Sequence, residues 1–154
     1  MELSTTRFGT IEIDENEIYT FRDGLYGLRF LKKFVIVQTA ENSPFRWLQS
    51  VEEPGFALLL TDPWEYVSDY EAILSDIDVK ALGLTEETPR WVYVTVTIPP
   101  GQPQAMTANL LAPLIFNCDT RQARQIAMED SNYHTKHALL TEMWRSADQT
   151  KLAG

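Results

Sequence analysis

The chain has 154 residues, of which 44% are hydrophobic, and it carries a formal net charge of −9 and one cysteine. A chain of this length is expected to fold as one domain without covalent staples, and one cysteine excludes an intramolecular disulfide framework. No apolar run reaches the roughly 18 residues of a membrane-spanning helix, and the N-terminus lacks the pattern of a signal peptide. We therefore expect a cytoplasmic protein without a membrane partner, and the negative charge argues against direct binding to nucleic acid.

Short segments rich in β-branched and aromatic residues recur at intervals of about ten residues, as expected for an all-β domain. Gly24 and Gly27 predict a compact turn with positive backbone φ between two of these segments. Strands are predicted at residues 5–13, 18–21, 34–39, 45–51, 56–61, 69–74, 91–98, 107–117, 125–128 and 137–140.

One segment carries the signals of a helix. Ser75 is a favourable N-cap, Asp76 and Asp78 place negative charge in the first turn, and Gly83 suits the position after the last turn. The pattern predicts a short helix at residues 76–82.

The segment TANLLAPLIFN at residues 107–117 is predicted as a strand with one face in the core, because its even positions are all apolar. Its odd positions are mixed and are expected to be partly wet. Pro113 lacks a backbone N–H, so the strand should lie at a sheet edge or be interrupted there.

These elements predict a mainly β fold: a single-domain antiparallel β-barrel-like structure at residues 1–140, with one or two short helices. Residues 141–154 are predicted to form a polar C-terminal tail or a short helix, with Met143 and Trp144 as its apolar anchors.

Acidic residues are concentrated in the middle of the chain, where ten acids and a single base, Lys80, lie between Trp47 and Pro89. Such a surface can serve solubility alone, or it can attract a basic partner and repel nucleic acid from it. Both interpretations remain open at this point.

Residue types suited to catalysis occur without a supporting motif. Cys118, His134 and Asn132 are the residue types of a cysteine hydrolase, and His134 and His137 are three apart, but no nucleophile or zinc pattern surrounds them. We predict no catalytic residues, metal site, cofactor or small-molecule substrate. A small cysteine hydrolase that uses Cys118 and His134, or a structural β-module of another assembly, remains an alternative function.

Several spaced identities resemble the FliW family of flagellar assembly factors. The segments at residues 45–50 and 107–117 are the most specific, because Asn, Pro and Gln at fixed positions in strands rarely match by chance. The resemblance spans about residues 5–140 and is carried by Arg7-Phe8-Gly9, Phe21 with the turn at 24–28, Phe45-x-Trp47-Leu48-Gln49-Ser50, Asp62-Pro63, residues 107–117, Gln125 and Asp130-Ser131-x-Tyr133.

The resemblance implies a small β-barrel-like protein without enzymatic activity. It implies two partners in the cytoplasm: flagellin, and the RNA-binding translational regulator CsrA, whose repression of flagellin mRNA is relieved on binding. The acidic residues are candidates for CsrA binding, and exposed apolar residues are candidates for a groove that takes the helical ends of flagellin. The candidates are Glu65, Asp69 and Glu71 for the acidic surface, and Tyr26, Leu28 and Trp64 for the groove.

Five further residues are candidates for partner contact, each with a structural alternative. Trp47 and Gln49 share a strand face, where Gln49 either marks a wet groove or bonds to buried backbone groups. Asn109, Pro113 and Asn117 lie in the family segment, and the two asparagines either fix turns or contact a partner.

Overall fold

The computed structural model of the chain describes residues 1–140, and the predicted tail at 141–154, with Met143 and Trp144, lies outside the described residues. Eleven strands and one α-helix are present in the described part. Their bounds are β1 Glu2–Thr5, β2 Gly9–Glu12, β3 Tyr19–Phe21, β4 Lys33–Val37, β5 Phe45–Ser50, β6 Ala57–Thr61, α1 Asp76–Leu82, β7 Arg90–Thr97, β8 Thr107–Ala108, β9 Leu114–Asn117, β10 Gln122–Gln125 and β11 His137–Ala138.

The sheet closes into a seven-stranded barrel through β7. One edge of β7 pairs with β6, while its first half also pairs with β9, which leads back through β10, β3, β4 and β5 to β6. The mainly β, barrel-like prediction is therefore confirmed. Not every pair is antiparallel, because β10 runs parallel to β3.

Two main cores lie on opposite sides of the barrel wall. The interior is filled by large aromatic and aliphatic side chains, with Phe21, Phe34 and Phe116 fully buried and in edge-to-face contact. The second core lies outside the wall, where Val94 and Ile115 pack beneath the segment that leads from β6 to α1. Strands such as β9 are therefore buried on both faces.

The prediction of one continuous strand at residues 107–117 is wrong. The segment forms β8 and β9, separated by a turn in which the Asn109 side chain accepts a hydrogen bond from the backbone N–H of Ala112 at 3.1 Å. The expectation that its odd face is partly wet is also wrong for β9, since Ile115 and Asn117 are buried by the outer core. Pro113 lies in the interruption, where its missing N–H breaks no ladder.

Three other strand predictions need correction. Residues 5–13 are not one strand but the end of β1, a turn and β2, because Gly9 adopts a positive φ of 67° where the chain turns back onto β1. Residues 69–74 pair with no strand of the described part of the chain. The strand predicted at 125–128 is shifted towards the N-terminus, to β10.

The helix and the glycine turn are confirmed. Ser75 and Asp78 form a reciprocal capping box at the start of α1, and Gly83 ends the helix with a φ of 63°. Gly24 and Gly27 both have positive φ, and the backbone of Arg29 passes so close to Gly24 that a Cβ there would clash. Within residues 1–140, no helix is long and apolar enough to span a membrane.

Candidate partner-binding surface

The segment between β6 and α1 crosses the outside of the barrel and carries several of the predicted residues. It begins where Asp62 accepts a hydrogen bond from the backbone N–H of Trp64 and starts a single 3-10 turn at Pro63–Glu65. Proline suits the first position of such a turn because its φ is already fixed and no donor is lost. We call residues 62–74 the crossing segment.

Aromatic side chains attach the crossing segment to the barrel. The Trp64 indole N–H donates to the Tyr70 carbonyl at 2.8 Å, and the two rings meet edge to face. The buried Tyr70 hydroxyl donates to the Leu110 carbonyl at 2.8 Å, and the Tyr133 hydroxyl accepts from the backbone N–H of Glu71. Burial raises the pKa of Tyr70 well above its ordinary value, so this hydroxyl stays a neutral donor.

The predicted acids project from this anchored backbone. Glu65, Asp69 and Glu71 are all exposed, and none of them forms an ion pair with another residue of the described chain. In contrast, Asp62 caps the 3-10 turn and Asp78 pairs with Arg124. The acidic stretch therefore divides into acids with structural partners and acids that present their charge to solvent.

A surface groove of about 750 Å³ lies between the crossing segment and the start of β7. Its two most exposed aromatic residues are Trp64, with 41% of its surface exposed, and Trp91, with 54%. Glu65 lines the same groove. Exposed tryptophans of this kind are enriched at protein interfaces.

Two arginines on the groove are held by the backbone. The Arg46 guanidinium donates to the Phe45 carbonyl at 2.8 Å, and the Arg90 guanidinium donates to the carbonyls of Thr85 and Thr88. Burial raises the pKa of Tyr93, and the neighbouring Arg46 offsets this only in part, so the phenol remains neutral. The groove thus offers hydrogen bonds and apolar surface rather than an activated nucleophile.

The structure separates the residues predicted for an apolar groove. Trp64 lies on the groove described above, whereas Tyr26 and Leu28 lie in the glycine turn near β10. The backbone N–H of Tyr26 donates to the Gln125 side chain at 2.9 Å, and 51% of the Tyr26 surface is exposed. Leu28 is half-buried against the barrel interior.

Trp47 and Gln49 point outward from the same face of β5 and are covered by the β1–β2 hairpin and its neighbours. Trp47 packs against Phe8, and the Arg7 guanidinium lies 4.1 Å from its ring centroid. Gln49 has no exposed surface and donates to the carbonyls of Ser50 and Pro54. In this conformation Gln49 cannot touch a partner directly.

The predicted residues of the family segment are engaged within the fold. The buried Asn117 side chain donates to the Leu82 carbonyl at 2.7 Å and accepts from the backbone N–H groups of Asp119 and Thr120. Asn109 fixes the turn before β9, and Pro113 is buried. Both asparagine side chains therefore bond to nearby backbone N–H groups and fix turns in the structure.

The residues of the hydrolase alternative are not brought into contact. The Cys118 thiol has the Tyr19 hydroxyl as its neighbour at 4.0 Å, and Arg121 donates to that hydroxyl at 2.9 Å. His134 is exposed and is joined to Leu110 only through its backbone carbonyl. Among residues 1–140, no group of three or more His, Cys, Asp or Glu side chains is arranged to hold a metal ion.

Sequence reasoning missed Trp91 as a candidate residue of the groove. Trp91 and Tyr93 lie two apart on one face of β7, and their rings are stacked. However, Tyr93 is buried inside the barrel while Trp91 extends beyond its end. A tryptophan at the first exposed position of a strand was the available signal, but only the path of the crossing segment shows that it borders a groove.

Comparisons with known proteins agree with this fold. The family model of the FliW protein matches residues 2–139. The flagellar assembly factor FliW of Pseudothermotoga lettingae is 37% identical over 146 residues, covering 95% of this chain and 93% of the relative. That of Magnetococcus marinus is 38% identical over 146 residues, covering 95% and 89%. A crystal structure of the flagellar assembly factor FliW has a TM-score of 0.83 and 36% identity, and covers 90% of this chain and 96% of that one. The chain therefore belongs to the FliW family of flagellar assembly factors.

Proposed function

We propose that this chain is a non-enzymatic assembly factor that binds flagellin and CsrA in the cytoplasm. Binding of CsrA prevents it from repressing the translation of flagellin mRNA. The observation that carries the CsrA part is the group of exposed acids, without an ion pair inside residues 1–140, on a firmly anchored backbone. An RNA-binding regulator needs basic surface to neutralise phosphates, so this acidic surface is complementary to it.

Glu65, Asp69 and Glu71 act chiefly by steering and holding the basic regulator. Their charges lie in solvent, so their attraction falls off over a Debye length of about 8 Å at physiological salt. Binding should therefore weaken as salt rises. Because their backbone is fixed by Trp64 and Tyr70, the acids lose little conformational entropy on binding.

The test replaces these three acids together. In Glu65→Lys/Asp69→Lys/Glu71→Lys, we expect CsrA binding to weaken about tenfold or more and its salt dependence to flatten, as measured by isothermal titration calorimetry. The matched control is a set of three exposed acids elsewhere in the described chain: Glu15→Lys, Glu17→Lys and Glu41→Lys.

Equal weakening by both triple variants would show that only net charge matters, and unchanged binding would remove the acidic surface from the proposal. Cys118→Ala serves as a second control, since a non-enzymatic protein should bind CsrA and flagellin equally well without its thiol.

Flagellin binding is assigned to the groove between Trp64 and Trp91. Its two exposed indoles suit the apolar side chains of an amphipathic helix, which enters a groove with a few large anchors. Titration of the CsrA complex with flagellin, followed by size-exclusion chromatography, distinguishes the possible arrangements. Displacement of CsrA supports shared or coupled sites, because Glu65 borders the groove, whereas a stable ternary complex contradicts exclusive binding.

A further inference from the structure

Basic residues of this acidic protein gather on one part of the barrel. Residues 22–33 contain Arg22, Arg29, Lys32 and Lys33 but a single acid. β10 pairs in parallel with β3, with Ala123 opposite Phe21, so Arg124 lies next to Arg22. The parallel pairing therefore joins two basic stretches that are about a hundred residues apart in sequence.

Two surface depressions lie side by side around these residues. One, of about 350 Å³, is lined by Arg22, Gln122 and the end of α1, and the other, of about 250 Å³, is lined by Tyr26 and Arg29. Asp23 and Arg124 line both depressions, so the two form one continuous surface.

Some of the charged side chains on this surface form ion pairs with other described residues, and others do not. Arg124 is paired twice, with Asp23 at 2.5 Å and with Asp78 of α1 at 2.9 Å. Neither Arg22 nor Arg29 has an ion-pair partner among residues 1–140. The ammonium group of Lys32 adds a further positive charge, since it donates to the Arg22 carbonyl at 2.8 Å.

A large aromatic side chain, Tyr26, lines the same depression as Arg29. Tyr26 lines the second depression and is 51% exposed, and Phe30, which follows Arg29, is 71% exposed. Tyrosine and arginine together are enriched at protein interfaces and among the residues that dominate binding energy. The Arg124 pairs keep this surface rigid, because they tie α1 and the glycine turn to β10.

We propose that this surface, formed by Arg22, Tyr26, Arg29 and Arg124 and called the arginine face, binds an amphipathic protein helix that carries carboxylates beside its apolar side chains. Charge complementarity identifies this occupant. The surface presents the guanidiniums of Arg22 and Arg29, which form no ion pair within residues 1–140, together with the exposed ring of Tyr26, and guanidinium binds carboxylate in a bidentate manner. The inference does not depend on the proposed function, whose acidic surface and groove use other residues.

Nucleic acid fits this surface less well. Asp23 and Asp78 lie within it and would face the phosphates, and the whole chain carries a net charge of −9. A duplex or single strand also needs a longer basic track than Arg22 and Arg29 supply. A short acidic helix, in contrast, needs to satisfy only these two charges.

The test uses a fluorescent synthetic helix of about 18 residues with leucines on one face and glutamates beside them. We expect it to bind the full chain saturably in fluorescence anisotropy. Arg22→Glu/Arg29→Glu should weaken binding about tenfold or more. The matched control, Arg7→Glu/Lys136→Glu, makes the same charge change at exposed positions elsewhere and should leave affinity within about twofold.

Tyr26→Ser provides a variant that leaves every charge in place, and it should weaken the same peptide because the apolar anchor is lost. Melting temperatures of all variants establish that they are folded. No binding of the glutamate peptide to the wild-type chain, equal weakening by the two double variants, or tighter binding of a single-stranded RNA oligonucleotide would overturn the inference.

Discussion

At the scale of single residues, polar side chains with no exposure fix how the barrel is joined to its surroundings. Asn117 ends β9 and links the last turn of α1 to the loop that leads into β10. Replacing this side chain leaves the buried Leu82 carbonyl and two partly buried backbone N–H groups without their partner, which costs more than the loss of one exposed hydrogen bond.

Asn117→Ala should therefore lower the free energy of unfolding by about 2–4 kcal/mol. The substitution removes the hydrogen-bond partner of the Leu82 carbonyl and of two backbone N–H groups. Asn109→Ala should cost about 1 kcal/mol, since that half-buried side chain satisfies a single amide. Urea unfolding of both variants provides the measurement. Equal and small losses, with partner binding abolished in Asn117→Ala, would show instead that Asn117 acts in the interface.

A second prediction at this scale concerns pH. The backbone N–H groups of Lys32 and Lys33 donate to Glu52 at 2.7 and 2.9 Å and lower its pKa below the ordinary 4.5. The unfolded chain then binds more protons in this range, so the stabilisation is present above the unfolded pKa and is lost as pH falls through the folded pKa.

Glu52→Gln should therefore melt below the wild-type chain at pH 7, and this difference should shrink when melting is measured near pH 3. Glu53→Gln removes a neighbouring exposed carboxylate to which no described backbone N–H donates, and it should show no such trend. A difference that is constant with pH would contradict the role assigned to the Glu52 carboxylate.

At the scale of elements, the crossing segment has little regular structure, yet it is fixed in place by aromatic contacts and side-chain hydrogen bonds to the barrel. Its sequence has the alternation of a strand at residues 69–74, but Tyr70, Ala72 and Leu74 face the outer core without a pairing partner. Alternation reports which residues are buried; it does not report whether a neighbouring strand edge is free.

Tyr70→Phe tests this attachment, because it keeps the buried ring and removes the hydroxyl that bonds to the Leu110 carbonyl. We expect a loss of about 1 kcal/mol in stability and faster hydrogen exchange at Glu65 and Glu71. Tyr26→Phe removes an exposed hydroxyl and is the control. Unchanged exchange in Tyr70→Phe would mean that the crossing segment is held by its apolar contacts alone.

Several strands show the same limit of sequence reasoning. The bounds of β5, β6 and β7 agree with prediction to within one residue, because each is bordered by turns that the sequence marks clearly. The segment 107–117 carries the alternation of one strand, yet it contains two strands that pair at different places along β7. The break depends on an Asn109 side chain that bonds locally, which alternation does not encode.

At the scale of the whole molecule, exposed negative and positive side chains lie on different surfaces. Glu65 of the crossing segment lines the groove, and Arg22, which has no ion-pair partner within residues 1–140, lies at the parallel junction of β3 and β10. Arg22 and Arg124 are far apart in the sequence and become neighbours only through the pairing of β3 with β10. The composition of the chain therefore reveals its net charge but not this cluster. A protein with two surfaces of opposite charge is suited to partners of opposite character.

The sequence by itself determined the mainly β class, the capped helix, the glycine turn and the family, because these depend on local patterns and spaced identities. Only the tertiary structure decided that Gln49, Pro113 and Asn117 are internal, that Tyr26 and Trp64 lie apart, and that the arginine face exists. The physical reason is that closure of the barrel and its covering by the crossing segment are non-local. Alternation distinguishes two faces of a strand, and in this fold both faces of β9 are buried.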